Sequence, residues 1–265
     1  MDLARRLSKV TEDATRIARM SNRNDRATWI KGDAANCSIP PKPRQHPPRF
    51  VILGSPGIGK SKQSEMLCAG LGLCHLATND ILQAAKSLPQ DEQTPGIRAV
   101  LEQTQSGQVV SDSGLLQLIH ERQRCLRCKG GFLLDGFPGS VAQAIALDDL
   151  LHHDNLRLDA VLNYTLPISA LVRRLAARRT CQECNAAFHL TDQPPKVADV
   201  CDYCGGILVQ REDDLPEAIR ARITAYEHDT RPLIEYYLHC GLIRTISADG
   251  PSHRVFARTL AIIDN

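Results

Sequence analysis

Five short apolar runs punctuate the chain, at residues 50–53, 73–76, 132–135, 160–166 and 242–247. Their length and composition predict β-strands. Longer stretches compatible with helices separate them, at residues 62–71, 114–124, 168–179 and 216–238 among others. Short apolar strands alternating with helices predict an α/β fold in which a parallel five-stranded sheet is covered by helices on both faces.

Ahead of the first strand the pattern differs. Leu3, Leu7, Val10, Ala14 and Ile17 recur at helical spacing among Arg5, Arg6, Lys9, Arg16 and Arg19. Pro40, Pro41, Pro43, Pro47 and Pro48 then favour an extended tether and mark a boundary just before Phe50. A basic amphipathic start suits an organelle transit peptide, yet Asp2, Glu12 and Asp13 interrupt it. Residues 1–49 are therefore expected to be a basic, Pro-rich extension, either an arm that docks a partner or an address. The expected compartment is the cytoplasm, or the mitochondrion or plastid should the extension be a transit peptide.

Composition narrows the function. The 265 residues are 43% apolar and 23% charged, as in a soluble globular chain. Thirty-two basic and thirty acidic side chains leave +2, which argues against electrostatic binding of nucleic acid or membrane. No apolar run approaches the roughly 20 residues of a membrane span. Five Phe, five Tyr and one Trp are too few for a base-stacking platform.

The first strand runs into Gly54-Ser55-Pro56-Gly57-Ile58-Gly59-Lys60-Ser61, which matches G-x-x-x-x-G-K-[ST] at every fixed position. Glycines let backbone N–H groups converge on phosphate oxygens, and the following helix aims its positive end at the same place. Lys60 supplies a charge for terminal phosphates, and the Ser61 hydroxyl is a candidate magnesium contact. Asp135 ends its strand at the same carboxyl edge, where open α/β sheets bind ligands and a carboxylate can hold the waters around magnesium. A turn cap before Gly136 is the structural alternative.

Ten cysteines include three C-x-x-C pairs. Cys181/Cys184 and Cys201/Cys204, sixteen residues apart, suit a closed four-thiolate zinc site that staples a segment too small for its own core. Cys125/Cys128 has no second pair nearby and reads as an ordinary pair on a helix end or an adventitious metal site. Cys37, Cys68, Cys74 and Cys240 read as isolated small residues. Arginines gather around the cysteine segment. Arg174 and Arg178, four apart on one expected helical face, lead into it with Arg179, while Arg211 follows and Arg220 and Arg222 lie on the next helix. They are either a solvated charge run or guanidinium forks that neutralise a migrating phosphoryl group.

Taken together these residues resemble adenylate kinases, in particular the long form with a zinc-bearing lid. The resemblance runs from Phe50 to the C-terminus, through the phosphate loop, His75 to Asp80, Gly131 to Pro138 with Gln143, Arg178 to Cys181, Pro194 to Val197, Cys201 to Gly206 and Gln210 to Asp214. It implies a core at residues 50–78, 112–176 and 215–265, a nucleoside-monophosphate-binding insertion at 79–111 and a zinc lid at 177–214. It also implies reversible phosphoryl transfer from ATP to AMP or a related monophosphate by a monomer, with magnesium accompanying ATP and a structural zinc. Gly54 to Lys62, including Ser55, Pro56, Gly57, Ile58, Gly59, Lys60 and Ser61, would hold ATP together with Arg174 and Arg178. Arg211 and Arg222 would clamp the transferring group, Asp135 would position magnesium through water, and Asp213 and Asp214 would help hold the lid closed. Thr78, Gln83, Val110, Gly136, Gly139 and Gln143 fall on the acceptor site, with Arg211 and Arg222 reaching it.

Gln83 and Gly139 stand where the family carries two arginines that grip the AMP phosphate, Asn79 replaces a glycine, and Lys62 replaces a threonine. Charged phosphate contacts are each worth about 1.5–3 kcal/mol. Losing two implies acceptor binding weakened by roughly a hundred- to many-thousandfold, unless Lys62 or Lys86 compensates. The alternatives are an ATP-binding protein with impaired turnover and a regulatory or scaffold role, or a redox or zinc-sensing module, which leaves the loop and arginines unexplained.

Overall fold

The computed structural model describes residues 43–86, 88–106, 110–184, 186–191 and 194–264, without the side chains of residues 83–85. The amphipathic start, Pro40 and Pro41 lie outside the described residues.

The central sheet contains β1 (Arg49–Gly54), β2 (Cys74–Ala77), β3 (Phe132–Asp135), β4 (Ala160–Thr165) and β8 (Ile243–Ser247). Its order is β2-β3-β1-β4-β8, and every pairing is parallel. Alternation along β1 divides the core. Val51 and Leu53 join Leu76, Leu134 and Val161 on one face, and Phe50 and Ile52 join Leu133, Leu162 and Tyr164 on the other. Burial of both sets explains why the strands read as continuous apolar runs.

Helices cover the two faces. One face takes α2 (Thr78–Ala85), α3 (Pro95–Gln105), α4 (Asp112–His120), the short α5 (Gln123–Leu126) and α6 (Val141–His153). The other takes α1 (Lys60–Leu71), α7 (Ile168–Ala176) and α9 (Ser252–Ile263). The long α8 (Pro216–His239) serves both, through Ile219 and Ile223 on one side and Leu233 and Tyr237 on the other. A separate antiparallel sheet, ordered β6-β5-β7, joins β5 (Arg178–Cys181), β6 (Ala187–His189) and β7 (Leu208–Val209). Among the described residues no helix is long and apolar enough to cross a membrane.

Two expected helices end differently. The stretch 168–179 is helical only to Ala176, so Arg178 and Arg179 belong to β5 and do not share a helical face with Arg174. Pairing of β5 with β6 and β7 decides this, and helical periodicity contains no record of such distant partners. The stretch 114–124 breaks after His120 because Glu121 and Arg122 turn inward. Arg122 is fully buried, donating to the Leu118 carbonyl at 2.7 Å and to Glu121 at 3.1 Å. Glu121 also accepts from the Gly96 N–H at 2.6 Å and from the Thr94 hydroxyl, capping α3, whose N-cap Thr94 makes no side-chain cap of its own.

The proline-bounded entry to β1 packs against the core. The Arg44 N–H bonds the Lys129 carbonyl at 2.9 Å, and the Pro48 carbonyl accepts from Phe132 at 3.0 Å. The chain passes so close at Gly131 (φ +89°) that a Cβ there would lie 2.1 Å from the Pro48 oxygen. Gly131→Ala is expected to lower stability by about 3 kcal/mol or more. Gly72→Ala, at φ +66° in open space, should cost only about 1 kcal/mol. Denaturant midpoints of the two variants check this contrast.

Candidate functional site

The loop between β1 and α1 lies at the sheet's carboxyl edge, where the crossover from β1 runs past β3 to β2 while the crossover from β3 runs past β1 to β4. Gly57 and Gly59 have φ of +80° and +99°. A Cβ on Gly57 would sit 2.3 Å from Leu175, and one on Gly59 would sit 3.2 Å from the Arg174 guanidinium. The backbone is thus pressed against the end of α7, which side chains at these positions would prevent. No side chain caps α1 at Gly59, so its first N–H groups and positive dipole end face the loop.

Lys60 folds back along this loop. Its ammonium donates to the Gly54 carbonyl, reaches the Ser55 carbonyl at 3.3 Å and stands 5.8 Å from the centre of the Tyr226 ring. The Tyr226 hydroxyl accepts from the Gly54 N–H at 2.7 Å. Burial pulls the Lys60 ammonium below its ordinary pKa, and the Asp135 carboxylate opposes that fall. Asp135 ends β3 and accepts from Ser64 at 3.1 Å, with His75 Nε2 at 3.5 Å. Burial pushes its carboxyl up. Contact with His75, with help from Lys60 and Ser64, outweighs this and leaves it below the usual carboxylate range. An ionised carboxylate at this edge suits a magnesium ion held through water.

Arg174 leaves α7 toward the loop and donates to the Ile58 carbonyl at 3.2 Å. It shares with Gly57, Arg178, Phe188 and His189 a cleft of about 180 Å³ between the loop and the small sheet. Arg178 opens β5, and its Nε and Nη2 bind both oxygens of the fully buried Asp214 at 2.7 and 2.6 Å. Because Arg178 and Asp214 bracket the small sheet, this bidentate pair clasps its two ends together. Arg211 binds Asp213 at 2.8 Å, and Arg222 reaches the Asp213 carbonyl at 3.3 Å. The structure therefore brings Lys60, Arg174 and Asp135 to the loop, whereas Arg211 and Arg222 both bind Asp213, in the connection between the small sheet and α8.

At that sheet's tip Cys181, Cys184, Cys201 and Cys204 place their sulfurs within 4.8 Å of one another. Cys181 and Cys204 are 3.4 Å apart, and Cys184 and Cys201 are 3.6 Å apart. Four thiolates at 2.3 Å from a central zinc would lie about 3.8 Å from each other, so the cluster fits a tetrahedral ion.

The residues expected at the acceptor site lie at the ends of β2 and β3 and on the segments that follow. Thr78 starts α2, and its hydroxyl contacts the Asp135 carbonyl at 3.4 Å. A Cβ on Gly136 (φ +83°) would fall 2.5 Å from that hydroxyl. Gln143 is buried, accepting from the Gly139 N–H at 2.7 Å and donating to Asp112 at 2.6 Å. Val110 is half-buried just before α4, and Gln83 lies within α2. Sequence reasoning did not single out Tyr226, Ser64 or Asp112 for this site. Tyr226 follows Arg222 by four residues on α8, a helical spacing that was the one local signal.

A family profile described as adenylate kinase matches residues 52–242. An adenylate kinase of Thermodesulfovibrio yellowstonii is 39% identical over 216 residues, covering 82% of this chain and 99% of its own. One from Streptomyces coelicolor is 41% identical over 213 residues, covering 80% and 96%. One from Methanocella arvoryzae is 39% identical over 215 residues, covering 81% and 98%. The chain belongs to the adenylate kinase family. It is accordingly a phosphotransferase, a nucleoside monophosphate kinase at family level, and its parallel sheet with a phosphate loop is the fold of that family.

The clasp across the small sheet yields a test. Asp214→Asn removes the charge that neutralises Arg178 at a buried position and should lower stability by about 2–3 kcal/mol, the upper range for buried pairs being reduced by the partial exposure of Arg178. Thermal and chemical unfolding measure it.

Proposed function

We propose that the chain transfers the terminal phosphoryl group of ATP reversibly to AMP or a closely related nucleoside monophosphate. The carrying observation is the convergence of Lys60, Arg174 and Asp135 on a glycine loop at the carboxyl edge of β1 and β3. Lys60 and the loop N–H groups would cradle the donor phosphates, with Arg174 and Arg178 along the cleft beside them. Asp135 would hold magnesium through water, and that ion neutralises charge on the phosphate oxygens when bound. Arg211 and Arg222 would turn from Asp213 to the transferring group as the small sheet closes. Closure excludes the water that would otherwise compete as acceptor and screen the guanidinium groups. Four thiolates holding zinc would keep this small sheet rigid as it moves.

The neutral Gln83 and Gly139 set the acceptor preference. A Cβ at Gly139 would meet nothing nearer than Gln143 at 3.6 Å, and its φ is not positive, so a longer side chain fits there. The double variant Gln83→Arg with Gly139→Arg should lower KM for AMP at least tenfold, with kcat changed much less. A coupled assay with ATP, magnesium and a panel of monophosphates reads both constants. An unchanged KM would show that the acceptor phosphate lies elsewhere, and absence of turnover with every monophosphate would overturn the proposed reaction.

Metal analysis should find one zinc per chain. Replacing Cys181 and Cys204 by serine should remove it and lower the melting temperature, whereas Cys125→Ser should do neither.

A further inference from the structure

The third C-x-x-C pair has no place in phosphoryl transfer, and the fold gives one of its members a partner from another strand. Cys74, the first residue of β2, directs its thiol at the Cys128 sulfur, 3.4 Å away and 54 positions along the chain. Backbone bonds hold the two together. The Cys74 N–H binds the Gly131 carbonyl at 3.1 Å, and the Gly131 N–H binds the Cys128 carbonyl at 3.1 Å. Both residues are half-buried, so the pair is not sealed within the core. They lie at the amino end of β2 and β3, opposite the edge that carries Thr78 and Asp135.

We propose that Cys128 and Cys74 form an oxidisable thiol pair, with Cys128 the nucleophile toward a hydroperoxide and Cys74 the thiol that resolves it. The Cys128 thiol is pulled down to about 6, chiefly by the S–H of Cys74 and also by the N–H groups of Gly130 and Gly131, against the cost of burial. At neutral pH its thiolate is therefore the reacting species. That sulfur attacks the outer oxygen of the hydroperoxide. The O–O bond breaks, an alkoxide or hydroxide leaves and takes a proton, and Cys128 becomes a sulfenic acid. Cys74 then gives up its proton and attacks the Cys128 sulfur, expelling the hydroxyl group as water. Two thiols have lost two electrons to one peroxide bond. A disulfide needs the sulfurs at about 2.05 Å, so they must approach by about 1.4 Å, which rotation about the Cα–Cβ bonds can supply. The bond would enclose α2, α3, α4 and α5 within one covalent loop.

The test uses the full zinc-loaded chain treated with hydrogen peroxide, quenched with an alkylating agent and mapped by mass spectrometry without reduction. The expected product is a Cys74–Cys128 linked peptide, lighter by two hydrogens and lost on treatment with a dithiol. Cys74→Ser should leave Cys128 as a sulfenic acid trapped by a 1,3-dione, and Cys128→Ser should leave Cys74 alkylated. Rates of Cys128 alkylation in the untreated wild-type chain should rise with pH to half their maximum near the value above. A Cys125–Cys128 link, or Cys74 and Cys128 both recovered alkylated after peroxide, would overturn the proposal. The wild-type map decides this even should a serine variant fail to fold.

Discussion

Close approach between the glycine loop and the end of α7 governs much of this molecule. With Leu175 where a Gly57 Cβ would stand and the Arg174 guanidinium against Gly59, the loop and the helix leading to the small sheet pack as one surface. That contact brings a helix N-terminus, a lysine and an arginine together within a few ångströms, an accumulation of positive charge that an anion would relieve. Burial of Lys60 sharpens the same point, because desolvation opposes its charge while Asp135 supports it. Lys60 and Arg174 are both held against the loop backbone by hydrogen bonds to its carbonyls.

The small sheet is tied at both of its ends. Its base is clasped by Arg178 and Asp214, and its tip gathers four cysteine sulfurs around a point suited to zinc. Its apolar cluster consists of Cys181, Phe188, Cys201 and Leu208. So few buried groups offer little hydrophobic stabilisation for a segment of this length, which is why a metal staple makes physical sense here. Arg211 and Arg222 both approach Asp213, where the chain passes from the small sheet to α8.

The turn after β3 is held by polar contacts within the protein. Gln143 is engaged at both ends, by the Gly139 N–H and by Asp112, and Ser140 binds Asp112 as well at 3.0 Å. Such a closed set orders the turn after β3 without the charge that two arginines would bring. The pair of the half-buried Glu121 with the buried Arg122 does similar work one layer away, joining α4 to the start of α3. Neither network has a sequence signature, because each depends on residues from separate elements meeting at a buried point.

Local chemistry along the chain was enough for the parallel sheet, the glycine loop with Lys60, the role of Asp135 as a strand end and the two lid C-x-x-C pairs. Period, turn residues and ligand spacing are short-range properties that survive in one dimension. Tertiary structure decided that Arg178 starts a strand rather than ending a helix, that Tyr226 closes over Gly54, and that Cys128 finds its neighbour in Cys74 rather than only in Cys125. The deciding partner lies 11 positions away for Arg178, which pairs with His189, 172 away for Tyr226 and 54 away for Cys128, and only the packing of the folded chain brings each within contact.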